Sequence, residues 1–237
     1  MNHLLNIINF YKAVKDSKIT DIIKNEKLSY KRINDLIFLT DYKEETKECS
    51  ECFINIYSDK NTLIPLLLNG EYFWLKTKEK NILKDQFYLC NFIHKRNFLN
   101  ENILSYLKDF SDIFKEYMAI YFNTPHNHII GAKIESDLIR MDAVNIGFNT
   151  YEISWFTKVY LIRDLSIFEI EKTLNKLIEK INNKIIYIFY KQANFYYLYL
   201  ITYQNIELKW YEVLGYFVYD YSQTITENIK CAKEKLK

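Results

Sequence analysis

Two pairs of residues, one of two cysteines and one of a cysteine and a histidine, have the spacing that a zinc site would need. Cys49 and Cys52 are separated by two residues, and Cys90 and His94 stand one helical turn apart. Three thiolates and one imidazole could complete a tetrahedral Cys3His centre. A stretch of 37 residues separates the two pairs, and Cys90 lies in an apolar run where a buried thiol is ordinary. Zinc is therefore a candidate cofactor, with these four residues as its candidate ligands.

A second set comprises His126 and His128, with Glu135, Asp137 and Asp142 downstream. Alternate residues of an extended segment point to the same side, so the two imidazoles could join a carboxylate in binding a metal or transferring protons. A polar surface turn between two elements would have the same sequence. A metal-dependent hydrolase that uses the histidine or the cysteine set is one hypothesis for function.

The segment 19–37 has the layout of a helix-turn-helix unit. A short helix would carry Ile19, Ile22 and Ile23, and Ser29 would begin a second helix. In such a unit the second helix lies in the major groove of DNA and reads base edges from its N-terminal part. The candidate nucleic-acid-binding residues are Lys24, Lys27, Ser29, Lys31, Arg32 and Asn34. Helix pairs with this spacing also serve as packing or peptide-docking modules, so a structural role stays open.

The composition limits the classes of function. The chain has 237 residues and a formal net charge of +2, so any binding to nucleic acid must come from a local patch. It contains four glycines, of which no two are closer than sixteen residues. This spacing excludes the dinucleotide-binding and phosphate-binding glycine loops and the nucleophile elbow, because each of them needs paired glycines.

The sequence predicts a cytoplasmic protein that does not contact a membrane. The N-terminal segment MNHLLNIINF has no basic region and does not resemble a signal peptide. No stretch approaches the roughly 18 continuous apolar residues that span a bilayer. Four cysteines are too few to crosslink a secreted chain of this length, which favours a reducing compartment.

The hydrophobic periodicity predicts the elements that would position these residues. Apolar spacings of three and four residues predict three helices within the first forty residues, a long helix from about 97 or 100 to 123, and a helix over 166–181. Alternating patterns predict strands, of which those at 71–77 and 194–203 are representative. With so few glycines, asparagine pairs and longer loops must turn the sheet. No internal repeat is evident.

These elements predict an α+β fold. An N-terminal three-helix unit with helix-turn-helix layout would be followed by a mixed, largely antiparallel sheet with two longer helices. The predicted domains are a helical unit over 1–46, a small strand pair with the long helix over 47–125, and an α+β sheet domain over 126–237.

From the sequence we expect a non-enzymatic binding protein that binds a partner protein, with residues 19–37 as its candidate contact with DNA. The alternative is a structural subunit of a larger complex. Its aromatic-rich sheet, which would hold many of the 21 Tyr and 16 Phe residues, would then be the interface with a protein partner. The metal-dependent hydrolase ranks third. The sequence does not identify a ligand.

Overall fold

The computed structural model describes seven stretches of the chain: 29–40, 64–77, 82–91, 103–122, 128–181, 184–204 and 208–236. Nearly half of these residues are in β-strands, which are the commonest element. The strands are β1 Tyr30–Ile33, β2 Leu36–Leu39, β3 Ile64–Leu68, β4 Glu71–Thr77, β5 Lys84–Asn91, β6 Met118–Phe122, β7 His128–Lys133, β8 Ala143–Gly147, β9 Thr150–Ser154, β10 Lys158–Asp164, β11 Lys184–Gln192, β12 Phe195–Tyr203 and β13 Tyr216–Val218. The α-helices are α1 Ile103–Ile113, α2 Ile167–Ile178, α3 Trp210–Val213 and α4 Ile225–Leu236.

Ten strands form one antiparallel sheet in the order β3-β4-β5-β7-β6-β11-β12-β10-β9-β8. The two halves of this sheet have the same topology. Three strands, a helix and two further strands make up each half, as β3-β4-β5-α1-β6-β7 and as β8-β9-β10-α2-β11-β12. The halves meet where β6 pairs with β11, with Ile120 opposite Ile188. The fold is therefore a structural duplication about a pseudo-twofold axis at the centre of the sheet.

The two duplicated helices cover one face of the sheet. In α1, Ile103, Leu107 and Phe110 are buried, and the ring of Phe110 stacks on that of Phe87 in β5 with centroids 5.8 Å apart. In α2, the corresponding buried residues are Ile170 and Leu174. These side chains belong to one continuous apolar layer with the sheet, which fixes both helices on the same side.

The other face of the large sheet is covered by a three-stranded sheet in the order β1-β2-β13 and by α4. β2 is the central strand of the small sheet, paired with β1 on one edge and with β13 on the other. All four of its residues are buried in the core that the two sheets share. Polar contacts attach β1 to the segment after β7. The Tyr30 hydroxyl donates to Glu135 Oε2 at 2.9 Å, and the Arg32 guanidinium pairs with Asp137.

The expected α+β fold with an N-terminal three-helix unit is wrong. Residues 30–39 form a β-hairpin in place of the third helix, with Asn34 at φ +55° in its two-residue turn. The spacing of Ile33, Leu36 and Ile37 imitates a helical stripe because β2 is buried on both faces and is apolar at every position. The helices expected over 4–14 and 16–24 lie outside the described residues. The recognition helix that reading DNA would require is therefore absent from 29–40.

Other elements follow the sequence more closely. Strands are confirmed at 71–77 and 195–203, and the helix expected over 166–181 is α2. The long helix is shorter than expected, because α1 ends at Ile113 and residues 118–122 form β6. Asparagine does occupy tight turns, with positive φ at Asn34, Asn69 and Asn149. None of the helices in the described stretches has the length and apolar character that crossing a membrane requires.

Candidate functional site

The candidate site is built around His128, the first residue of β7. Its backbone lies opposite Cys90 near the end of β5, so the register of these strands places an imidazole and a thiol on neighbouring strands. Both side chains are almost fully buried, with 4% of His128 and 2% of Cys90 exposed. They lie on the face of the large sheet that the small sheet covers, because Cys90 and Ile130, two residues after His128, pack in that layer.

Aromatic rings form the walls around His128. The ring of Tyr88 meets the imidazole at 63° with centroids 5.9 Å apart, and the ring of Phe122 meets it at 89° and 5.6 Å. Phe122 in turn stacks on Trp210, with centroids 5.8 Å apart and planes 22° from parallel. These edge-to-face and stacked arrangements are the favourable geometries for aromatic pairs. The imidazole is consequently held in a defined orientation.

A buried amide positions Tyr88. Gln86 is fully buried, and its Oε1 accepts a hydrogen bond from the backbone N–H of Leu83 at 3.0 Å. Its Nε2 then donates to the Tyr88 hydroxyl at 2.5 Å. Because the amide oxygen is already engaged, the orientation of Gln86 is fixed and Tyr88 receives a donor rather than an acceptor. The wall beside His128 is thus attached to the backbone immediately before β5.

Trp210 is held in place by the short helix that it begins. The backbone N–H of Lys209 donates to Glu212 Oε2 at 3.0 Å, and the same carboxylate pairs with Lys235 of α4 at 2.8 Å. The carbonyl of Val213 accepts from the indole Nε1 of Trp155 at 3.1 Å. These contacts join α3 to α4 and to the β9–β10 connection. The aromatic wall is therefore part of the folded framework.

The structure combines residues that the sequence had assigned to two separate sites. Cys90 belongs to the predicted zinc set and His128 to the histidine pair, yet the two face each other across β5 and β7. Cys49, Cys52, His94 and His126 lie outside the described residues, so the zinc set stays a prediction. Among the described residues, no group of three or more His, Cys, Asp or Glu side chains is arranged to hold a metal.

The carboxylates expected near the histidines are engaged elsewhere. Glu135 lies beyond the end of β7 opposite to His128, where it accepts from Tyr30 and pairs with Lys84 at 3.5 Å. Asp137 pairs with Arg32. The expected combination of alternate histidines with these carboxylates is therefore wrong for Glu135 and Asp137.

The candidate nucleic-acid residues within the described stretches support the β1–β2 hairpin. The carbonyl of Ser29 accepts from the Thr40 backbone N–H, Arg32 binds Asp137, and Asn34 forms the turn. Lys31 places its Nζ 4.9 Å from the ring centroid of Tyr219. Lys24 and Lys27 lie outside the described residues. The hairpin cannot enter a major groove as a recognition helix, so the helix-turn-helix hypothesis is wrong.

Sequence reasoning missed Tyr88, Phe122 and Trp210 as neighbours of His128. Each belongs to an apolar run typical of core strands. Tyr88 and Phe122 reach His128 through the pairing of β5, β6 and β7, whereas Trp210 lies in α3 and is brought near by its stacking on Phe122. The alternate histidines His126 and His128 were the one feature of the sequence that indicated this site.

Comparison with solved structures identifies the fold. The chain superposes on the crystal structure of yeast Ap4A phosphorylase Apa2 with a TM-score of 0.59 and 10% sequence identity, covering 96% of both chains. Two further structures of that protein also match. The complex with AMP gives a TM-score of 0.54 at 10% identity, covering 98% of this chain and 94% of the other. The complex with Ap4A gives 0.50 at 11% identity, covering 98% and 96%.

No family model and no curated protein matches the sequence. The likeness therefore lies in the fold, which is shared with yeast Ap4A phosphorylase Apa2. This finding, with the hairpin at 30–39, overturns the expectation of a non-enzymatic, DNA-binding protein, because the fold is shared with Ap4A phosphorylase Apa2 and residues 30–39 contain no recognition helix.

Proposed function

We propose that the chain is a nucleotide-processing enzyme whose ligand is an adenine nucleotide or a dinucleoside polyphosphate. The likeness to Ap4A phosphorylase supports this proposal because it extends over 96% of both chains and includes complexes with AMP and Ap4A. The ligand would bind where β7 begins, with its phosphates at His128. The proposed reaction is transfer or hydrolysis at a phosphate of the nucleotide.

The observation that carries the proposal is the position of His128. It lies next to the centre of a duplicated sheet, buried and oriented by aromatic rings on two sides. An imidazole can donate to a phosphate oxygen, transfer a proton to a leaving phosphate, or attack phosphorus as a nucleophile. Each of these roles needs the fixed orientation that Tyr88 and Phe122 supply. His126, two residues earlier in the sequence, is the second candidate for phosphate contact.

The aromatic pair of Phe122 and Trp210 would support binding of the nucleobase. Trp210 is partly exposed, and its indole presents a flat apolar surface two rings away from His128. Stacking of a base on an aromatic side chain contributes about 1–3 kcal/mol. Lys209 adds a positive charge immediately before Trp210, which would favour an anionic ligand.

Binding can be tested by the thermal stability of the full chain with AMP and with Ap4A. A ligand at about 100 times its dissociation constant stabilises the folded state by about 2.7 kcal/mol. For a chain of this size, that free energy raises the melting temperature by roughly 5–10 °C. We expect this rise in the wild type and its loss in His128→Gln. Trp210→Leu should weaken binding of AMP by about 5-fold to 150-fold because the stacking surface is removed.

His3→Gln is the matched control, because it removes an imidazole in the N-terminal segment. Its melting temperature with ligand should rise as much as that of the wild type. Circular dichroism of the His128→Gln protein without ligand establishes that the variant is folded. If neither AMP nor Ap4A stabilises the folded wild type, or if His128→Gln responds like the wild type, the proposal is wrong.

A further inference from the structure

The edge strand β8 and its turn form an exposed apolar surface that no described element covers. β8 is the last strand of the ten-stranded sheet, and residues 143–146 are exposed. The exposed fraction is 68% for Val144 and 50% for Ile146. Phe148, in the turn to β9, is 92% exposed. Beside it at the start of α2, the exposed fraction is 59% for Leu165 and 65% for Phe168. We refer to these five residues as the β8 patch.

Phe148 has an unfavourable backbone conformation for its type. It lies at φ +47° and Asn149 at φ +58°, which is a two-residue hairpin turn with both residues left-handed. Asparagine and glycine adopt this conformation readily, whereas a bulky aromatic residue rarely does. The ring is also the most exposed large apolar side chain of the described residues. A strained and exposed aromatic residue at a sheet edge points to a contact outside the folded monomer.

We propose that β8 pairs with β8 of a second copy of this chain, so that the two large sheets join edge to edge across a twofold axis. An antiparallel pairing of the five-residue strand with itself centres on Asn145. Val144 then lies opposite Ile146 of the other copy. Residues 143–149 carry no charged side chain, so like charges do not meet in this pairing. The exposed edge of a sheet is a ready template for such addition of a strand.

The charges at the two ends of β8 favour a second copy over an unrelated partner. Asp142 is exposed directly before the strand, and Lys176 places its Nζ 5.7 Å from the ring centroid of Phe148 at the other end. Pairing about Asn145 brings Phe148 of one copy opposite Asp142 of the other. Each Asp142 therefore comes close to Lys176 of the opposite copy, twice in the dimer. The surface is complementary to itself, as a twofold interface must be.

Light scattering coupled to size-exclusion chromatography measures the oligomeric state of the full chain. We expect a mass of twice 28.8 kDa for the wild type and a monomer for Val144→Lys. Val218→Lys is the matched control, since Val218 is also a strand residue with 43% exposure but lies in the small sheet. This control should remain a dimer. A monomeric wild type at about 100 μM would overturn the proposal.

Two further variants test the geometry of the pairing. Phe148→Asn should raise the melting temperature of the monomer, because asparagine suits the turn, while it raises the dimer dissociation constant at least tenfold. In a background in which Cys49, Cys52 and Cys231 are replaced by serine, Asn145→Cys should form a disulfide with the same position of the second copy. Opposed antiparallel residues have Cα atoms about 4.5–5.5 Å apart, which suits a disulfide. Glu152→Cys, one strand inward, should form none. A dimer in which Glu152→Cys crosslinks and Asn145→Cys does not would show that another surface is used.

Discussion

Replacement of Gly131 by alanine tests how β7, the strand that begins with His128, packs beneath α1. A Cβ atom at Gly131 would lie 2.2, 2.4 and 2.7 Å from three ring carbons of Phe87. Nonbonded carbon atoms prefer about 3.5–4.0 Å, so the ring would have to move by more than about 1 Å. Neighbouring rings oppose this movement, with centroids of Phe110, Phe114 and Tyr117 at 5.8, 4.9 and 5.3 Å from that of Phe87. Gly131→Ala should therefore be an overpacking substitution.

The magnitude follows from the rigidity of that cluster. Phe87 and Phe110 are both fully buried, so the displaced ring has no exposed volume to enter. Overpacking of a filled core costs about 1–3 kcal/mol, and we expect about 3 kcal/mol here. For a chain of this length the melting temperature should fall by about 6–12 °C. Without the clash, alanine would stabilise a strand by about 0.5–1 kcal/mol relative to glycine. Any decrease in the free energy of unfolding of Gly131→Ala therefore measures the clash with Phe87.

Urea denaturation of the single and double variants isolates this contact. Phe87→Leu removes the ring atoms that the added Cβ would meet. In that background Gly131→Ala should cost about 1 kcal/mol or less, which gives a coupling free energy of about 2 kcal/mol between the two positions. If Gly131→Ala is as stable as the wild type, or if its cost is the same with leucine at position 87, β7 does not pack against β5 and α1 in this way.

Three further predictions concern charges and turns. Partial burial by itself would raise the pKa of the Asp112 carboxyl, but hydrogen bonds from Lys108 at 2.8 Å and Lys191 at 3.2 Å hold that pKa below its ordinary value of 3.8. The resulting stabilisation is fully present above pH 3.8 and is lost as the pH falls through the lowered value. Asp112→Asn should consequently reduce the free energy of unfolding by about 0.5 kcal/mol at pH 7, because the pair is partly screened, and this effect should shrink in thermal melts as the pH falls through the lowered pKa of Asp112. Asn34→Val should lower stability by about 1–2 kcal/mol in urea denaturation, while Asn34→Gly should cost less, because φ +55° excludes β-branched residues. Arg32→Met should reduce stability by about 1–2 kcal/mol through loss of the bonds to Asp137 and to the Glu135 carbonyl, and unchanged stability would show that these contacts do not attach the small sheet.

The sequence predicted elements where the periodicity was unambiguous. The apolar residues of α2 recur at helical spacing and those of β12 alternate or run continuously, and both elements lie where they were expected. The end of α1 was misjudged because Phe114 and Tyr117 continue the helical stripe into the turn before β6 and pack on the same ring of Phe87. No glycine or proline marks that boundary. Local pattern alone therefore extended the helix too far.

The hairpin at 30–39 and the site at His128 depend on contacts that a local pattern does not contain. β2 is apolar throughout because all four of its residues are buried, and it lies between β1 and β13, of which β13 follows nearly 180 residues later. Likewise, Cys90 meets His128 through the pairing of β5 with β7. The two halves of the sheet share topology without detectable sequence similarity, so the duplication was invisible in the sequence. Composition correctly indicated turns made by asparagine, because the chain offers few glycines.

The most direct test of the proposed enzyme is a turnover assay of the full chain with Ap4A, followed by anion-exchange chromatography of the products. Reactions with and without added inorganic phosphate distinguish phosphorolysis from hydrolysis. We expect the wild type and His3→Gln to release mononucleotides at equal rates, and His128→Gln, folded by circular dichroism, to lose at least 99% of this activity, in line with the factor of about 10²–10⁴ that a positioned acid or base contributes. Intact Ap4A after prolonged incubation with the wild type, or an unchanged rate with His128→Gln, would contradict the account.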